Sequence, residues 1–450
     1  MKQTFLRVCT VTNLLLLSPF MLADEYHYNN LLIGKDAVGM GGAYTAVGDD
    51  LSSIYYNPAA LTRVGDSNMA SINTFAWEQT TFNNVFGNSD DFKRSAFSIV
   101  PGFFGISYNT NSWTLGAALM VTDYSQERSD DEIFYQSPAF LGTGSSTNNE
   151  FITIDIDNSA YQVVGAAAKQ INDNFSIGFG LGIEYRAFQT TQSSGTVISS
   201  SSSELSASAS GFQASARYSD DNILMIPSVS MLYQDNAWSL GAKIAKSIVV
   251  QRNHEFVSAI FLTGVPADFP DVVSAARLSE SACCKQKYPF NINVGAAYKT
   301  ANWLFSADLQ YFEKVDEGVE LLEVFGSPVT KVLDEVVNVA LGLAYTINRT
   351  DSIKFGIFTD NANSSIDTNI EFQRLEAIDL MGVSLAFDTE LIELPFTFGA
   401  YYKFGDGKVR IADTRSVENI VGLPLYPQNN NSDIADASRG TVVAYFSVNF

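Results

Sequence analysis

Apolar and small or polar side chains alternate with a period of two along most of this chain. In Phe175–Ala187 the odd positions are Phe175, Ile177, Phe179, Leu181, Ile183, Tyr185 and Ala187, whereas the even ones are Ser176, Gly178, Gly180, Gly182, Glu184 and Arg186. Val337–Ile347 sets Asn338, Ala340, Gly342, Ala344 and Thr346 against apolar neighbours, and Phe290–Tyr298 does so with Asn291, Asn293, Gly295 and Ala297. Such alternation marks strands with one apolar face. Fourteen stretches qualify: 67–77, 93–108, 112–124, 158–170, 174–190, 222–234, 237–252, 288–299, 302–316, 335–347, 351–360, 376–389, 394–404 and 439–450.

The connections between them alternate long and short. Short turns fall at Asn109–Asn111, Asn172–Asp173, Asp235–Asn236, Thr300–Ala301, Asn348–Thr350 and Glu390–Glu393. Long loops are expected at 125–157, 191–221, 253–287, 317–334, 361–375 and 405–438. Outer-membrane barrels sort their loops in this way, with tight periplasmic turns and longer outer loops. Tyr108–Trp113, Tyr233–Trp238 and Tyr298–Trp303 each straddle a short turn, as expected of an aromatic belt at the headgroup layer. The final stretch, Arg439–Phe450, ends on an aromatic, and Phe450 is the expected signal to barrel-assembly machinery.

Composition agrees with a sheet that is apolar on one side. Charged residues are 17%, aromatics 12%, and mean hydropathy is +0.04, between the values usual for soluble proteins and for helical membrane proteins. Residues 1–23 have the order of an export leader, with Lys2 and Arg7, then the apolar run Val11–Leu17, then Ala23 at the expected cut. No later apolar run is long enough for a membrane helix, so membrane entry requires a closed barrel. The net charge of −22 disfavours nucleic acid. Cys283 and Cys284 read either as a vicinal disulfide or as an inert or intermolecular pair. With only His27 and His254, and no G-x-S-x-G or paired-His spacing, no catalytic residue, metal site or cofactor is expected. Both histidines read as surface residues.

Residues 24–66 lie between the leader and the first strand, and contain Gly39–Leu61, GMGGAYTAVGDDLSSIYYNPAAL. Gly39, Gly41 and Gly42 allow close backbone approach. Asp49 or Asp50 suits the N-cap of a short helix over Ser53–Tyr56, and Pro58 ends that helix. This stretch, with the strands behind it, resembles the FadL family of outer-membrane transporters for hydrophobic compounds, in which Asn57, Pro58 and Ala59 match an Asn-Pro-Ala motif. The resemblance implies an all-β fold, a 14-stranded antiparallel transmembrane barrel over 67–450 with an N-terminal hatch over 24–66. It implies passive uptake of long-chain fatty acids or aromatic hydrocarbons by a monomer set in outer-membrane lipid and lipopolysaccharide. Hatch movement, with gating residues Gly39, Gly41, Gly42, Asn57, Pro58 and Ala59, would release the compound, often sideways through the wall. A secretion-associated or structural barrel that docks other proteins is the alternative.

Strand parity points Glu184, Arg186, Lys243, Asp308, Lys354 and Lys403 inward. Arg186, Lys243, Lys354 and Lys403 can fix a carboxylate head group. The stronger expectation is that they pair with Glu184, Asp308, Asp49 and Asp50, and the two roles are compatible. His254–Tyr288 is unusually apolar for an outer loop. Phe256, Phe261 and Phe269 are expected to form a capture groove there, with a short helix from Asp271; packing against neighbouring loops or lipopolysaccharide is the competing reading.

Overall fold

The computed structural model describes residues 26–83, 91–138, 145–200, 209–263, 272–282, 287–316, 320–324, 327–330, 332–366, 375–391, 393–410 and 434–449. Strands β1 (Ser67–Phe82), β2 (Phe92–Asn109), β3 (Thr114–Pro138), β4 (Ser145–Asn172), β5 (Phe175–Ser200), β6 (Ala209–Asp235) and β7 (Trp238–Thr263) pair in succession. Two strands, β8 (Val272–Ala282) and β9 (Lys287–Lys299), share the next place, since both pair with β7. Then come β10 (Trp303–Phe312), a separate hairpin of β11 (Glu320–Val324) and β12 (Ser327–Thr330), and β13 (Val336–Thr346) and β14 (Ser352–Asp360). A one-residue gap at Asp379 divides β15 (Leu375–Ile378) from β16 (Leu380–Leu391), but both follow one register on β17 (Leu394–Arg410). The last strand, β18 (Ile434–Asn449), pairs with β17 and with β1. The result is a closed antiparallel barrel of fourteen staves.

Its walls are turned inside out relative to a soluble protein. On β5, Phe179, Leu181, Ile183 and Tyr185 are exposed while Ser176, Gly178, Gly182 and Glu184 are buried. Leu341, Phe355, Leu385 and Phe398 repeat the pattern on β13, β14, β16 and β17. An apolar exterior around a polar interior suits a hydrocarbon solvent, and closure leaves no unpaired edge in it. At the short-turn end, Trp238 lies 4.8 Å from Tyr298 and Trp303 lies 4.5 Å from Tyr345, centroid to centroid. The turns themselves are tight, as where Thr110 N–H donates to the Trp113 carbonyl.

The outer loops differ from expectation. Strands β3 to β7 are 25, 28, 26, 27 and 26 residues long, against 13, 10, 11 and 9 in β9, β10, β13 and β14. Much of 125–157, 191–221 and 253–287 is therefore ladder. At about 3.3 Å per residue and a tilt near 40°, a 26-residue strand rises roughly 65 Å, well beyond an apolar band of about 25 Å. Where a helix was expected from Asp271, Val272–Ala282 is strand.

The N-terminal segment Tyr26–Asp66 is almost wholly buried. It contains α1 (Asp36–Gly39), α2 (Ser53–Tyr56) and a 3-10 helix over Pro58–Arg63. Ile33, Met40, Tyr44, Leu51, Ile54 and Tyr56 pack against wall residues including Phe103, Met120 and Val164. Wall glycines make room for its backbone. A Cβ at Gly178 would lie 2.2 Å from Ala59 N, and one at Gly241 would lie 2.1 Å from the Thr45 carbonyl oxygen.

Candidate functional site

Hydrogen bonds to inward side chains and to the wall backbone fix the N-terminal segment. Asn57, in an extended conformation forced by the following proline, accepts from Ala59 N–H at 3.1 Å and donates to the Thr45 and Met231 carbonyls at 2.7 and 3.1 Å. Ser230 Oγ also accepts from Ala59 N–H, at 2.9 Å. On β10, Asp308 accepts from the Tyr44 and Thr45 N–H groups at 2.9 and 2.7 Å. Ser384 Oγ donates to the Gly39 carbonyl at 2.9 Å. Gly41 and Gly42 have φ of 66° and 84°, a left-handed turn that carries the chain away from α1. Pro58 both ends α2 and starts the 3-10 helix.

The helix start differs in detail from expectation. Ser52, not an aspartate, occupies the cap position of α2, while Asp50 stands two residues earlier and accepts from Ser52 N–H at 2.8 Å. Asp50 also accepts from Asp36 N–H at 3.3 Å, and Asp49 accepts from Tyr44 OH at 2.6 Å. Burial, then the nearby Asp36 carboxylate, pushes the Asp50 carboxyl up to about 6. Burial works against charge on Asp36 too, but Lys35 and Lys354 outweigh it and hold that carboxyl at about 2.

All four expected cations line the interior, but only Arg186 has one of the expected acids as its partner. Lys354 bonds Asp36 of the segment and Asp388 of β16. Lys403 reaches Asp360 at 3.2 Å and the Asn30 carbonyl at 3.0 Å. Arg186 pairs with Glu184 at 3.2 Å, as expected, and with Asp123 at 3.5 Å. Asp49, Asp50 and Asp308 bind groups of the segment instead. Lys243 differs from the rest. It donates to the Tyr55 carbonyl, its Nζ sits 4.9 Å from the Tyr55 ring centroid, and no carboxylate lies within ion-pair distance among the described residues.

Lys243 faces a cavity of about 170 Å³ between the segment and β3 to β10, bounded by Tyr28, Tyr55, Gln162, Asn293 and Phe312 among others. Polar and apolar groups line it together. His27, expected on the surface, is buried there and donates to the Ile378 carbonyl at 2.9 Å. His254 is buried as well, on β7. The backbone of Phe256 and Phe261 belongs to β7; their side chains, and with them the expected capture groove, as well as Phe269, Cys283, Cys284, Phe450 and the leader, lie outside the described residues.

Among the described residues, the wall is interrupted between β2 and β3. Their ladder runs to Phe103↔Met120 and resumes only at Ala96↔Glu127. Pro101 in β2 has no N–H to give, β3 shifts register between Val121 and Asp123, and β1 is irregular between Ser71 and Ala76. A cleft of about 20 Å³ lies there, bordered by Asn30, Ser98, Asp123 and Tyr124. Asn30 and Asp123 border the large cavity too, and Asn30 donates to Asp123 at 2.9 Å, so this pair partitions the two spaces. Beyond the break, buried Arg94 bonds Glu127 and Glu376, and Arg439 bonds the same Glu376. Neither this ionic cluster nor the Asn30–Asp123 partition is visible in strand parity, which reports a face and not a partner.

Among solved structures, a Pseudomonas aeruginosa FadL homologue matches 94% of this chain and 99% of its own, at 14% identity and a TM-score of 0.58. This is the FadL-like fold. The Pseudomonas putida toluene transporter TodX (12% identity, 94% and 98% covered, TM-score 0.54) and the Ralstonia pickettii toluene transporter TbuX (13%, 93% and 99%, 0.50) are similar to the chain over the same extent. No protein-family model and no curated protein sequence matches. The FadL-like fold is thus reached by this chain with about one residue in seven in common, which accords with a fold specified by alternation and strand order.

Proposed function

We propose that this protein is a passive outer-membrane channel for hydrophobic molecules, and that Tyr26–Asp66 is its hatch. The carrying observation is the barrel interior: a buried segment occupies the lumen and, among the described residues, leaves a cavity of about 170 Å³ near an interrupted stretch of wall. In this reading a compound enters from the tall outer side and rests in the cavity. It passes the Asn30–Asp123 partition and leaves between β2 and β3 into the membrane. The toluene transporters of the same fold support a hydrocarbon cargo. Size supports it too, because a cavity of about 150 Å³ holds benzene, close to the volume found here. A long-chain fatty acid would need the hatch to shift and lengthen the space.

The test is uptake of labelled ethylbenzene and labelled oleate by cells whose outer membrane carries this protein, alongside single-channel conductance of the purified protein. Uptake above the vector control with low conductance is expected. High steady conductance would make it a general porin. No uptake, no conductance and a co-purifying protein would favour a docking barrel.

A further inference from the structure

Glu376 is 1% exposed and belongs to β15, yet its carboxylate accepts from Arg94 of β2 at 3.0 and 3.2 Å and from Arg439 of β18 at 3.0 Å. Along the wall, β2 is four pairings from β15, by way of β17, β18 and β1. At about 4.8 Å per pairing that is roughly 19 Å, further than a glutamate and an arginine reach across a continuous sheet. The contact exists because β15 leans inward over β17. Gly405 and Gly407 of β17 make the room: a Cβ at each would lie 2.0 and 2.1 Å from the Asp379 and Ala377 carbonyl oxygens.

β15 is fastened on its other side as well. Ser364 Oγ donates to the Glu376 carbonyl at 2.6 Å, and His27 of the N-terminal segment donates to the Ile378 carbonyl at 2.9 Å. Asn363 N–H donates to the Tyr26 carbonyl at 2.7 Å. A run of polar contacts therefore crosses the lumen from the start of the segment to β2 and β3, where Arg94 also bonds Glu127. The cleft at the β2–β3 interruption abuts this run, since Glu78, Ser125 and Thr441 border it. Ser125 Oγ donates to Glu127 at 3.3 Å and Thr441 Oγ1 to Glu78 at 2.9 Å. Taking the Glu376 carboxylate away would leave two buried guanidinium groups short of a partner.

We propose that β15 is a strap across the outer mouth of the barrel and that Glu376 is its latch. Latched, the strap shuts the cleft off from outer water and leaves the large cavity, bordered by β6 and β7, as the way into the lumen. A compound then reaches the interruption only by way of that cavity, whatever its chemistry.

Thiol labelling tests the strap, on the full-length protein in detergent with Cys9, Cys283 and Cys284 replaced by serine. Ser98→Cys puts a thiol in the cleft and Ser247→Cys puts one in the large cavity. A sulfonated maleimide should react slowly at the first and readily at the second. Adding Glu376→Ala should speed the reaction at position 98 by roughly 10-fold or more, because removing one partner of a buried ion pair shifts the balance of closed and open forms at least that far. The rate at position 247 should not change. A thiol at position 98 that is fast while Glu376 is intact, or whose rate ignores Glu376→Ala, overturns the strap. An equal gain at both positions overturns it too, since the whole barrel has then loosened. If Glu376→Ala yields no heat-modifiable band, Glu376→Gln, which keeps the volume and removes the charge, takes its place with the same outcomes.

Discussion

Asn57 makes three hydrogen bonds with one side chain, two within the segment and one to the wall, and Lys354, Asp308 and Ser384 are among the wall residues that anchor the segment further. Asn57→Ala takes its donor from the buried Thr45 carbonyl, which costs about 1–3 kcal/mol. We expect faster proteolysis within residues 26–66 and an unchanged heat-modifiable band on gel electrophoresis; failure to form that band would make Asn57 an assembly residue. Asp50 adds a dependence on pH. Its docked carboxyl titrates near 6 rather than at 3.8, so docking is favoured in full below about pH 4 and loses that contribution as pH rises through 6. Asp36, held at about 2, acts oppositely, and its contribution fades only as pH falls towards 2. Protease protection of the segment should therefore fall between about pH 4 and 6 and level off above that, and Asp50→Asn should flatten that profile. Parity in the sequence placed Arg186, Lys243, Lys354 and Lys403 inside, but which of them lacks an acid depends on Asp36, Asp360 and Asp388, which lie far away in the chain. His27 and His254 misled for the same reason.

At the scale of strands, the staves themselves were legible, because a lipid-facing strand must alternate and a turn between two of them is short. The extensions of β3 to β7 were not. Past the bilayer neither face is held to an apolar rule, so Ser, Asn and Asp runs that read as loops continue the ladder. The β2–β3 break was also hidden, although Pro101 lies in it and a register shift near Thr122 sits opposite. We expect Asp123→Ala to remove the partition beside that break and raise hydrocarbon uptake severalfold, with conductance still low. Equal uptake would place the exit elsewhere. The Arg94–Glu127 pair closes the two strands again further out; Glu127→Ala leaves Arg94 short of one buried partner, a loss of about 3–5 kcal/mol, and should lower the temperature at which the heat-modifiable band is lost.

For the molecule as a whole, a lumen packed by its own N-terminal segment predicts that deleting residues 26–66 converts a quiet barrel into a conducting one. Planar-bilayer recording should show large, steady openings in the deletion and few in the full chain. Comparable traces from both would mean that something other than the segment blocks the lumen. The closing pair of strands adds a constraint on biogenesis. Since β18 zips to β1, the circle cannot be completed until the final strand has been delivered, whereas the stretch that ends up enclosed is delivered first. Whether that stretch ends up enclosed is therefore decided by where it lies when the seam between β18 and β1 shuts.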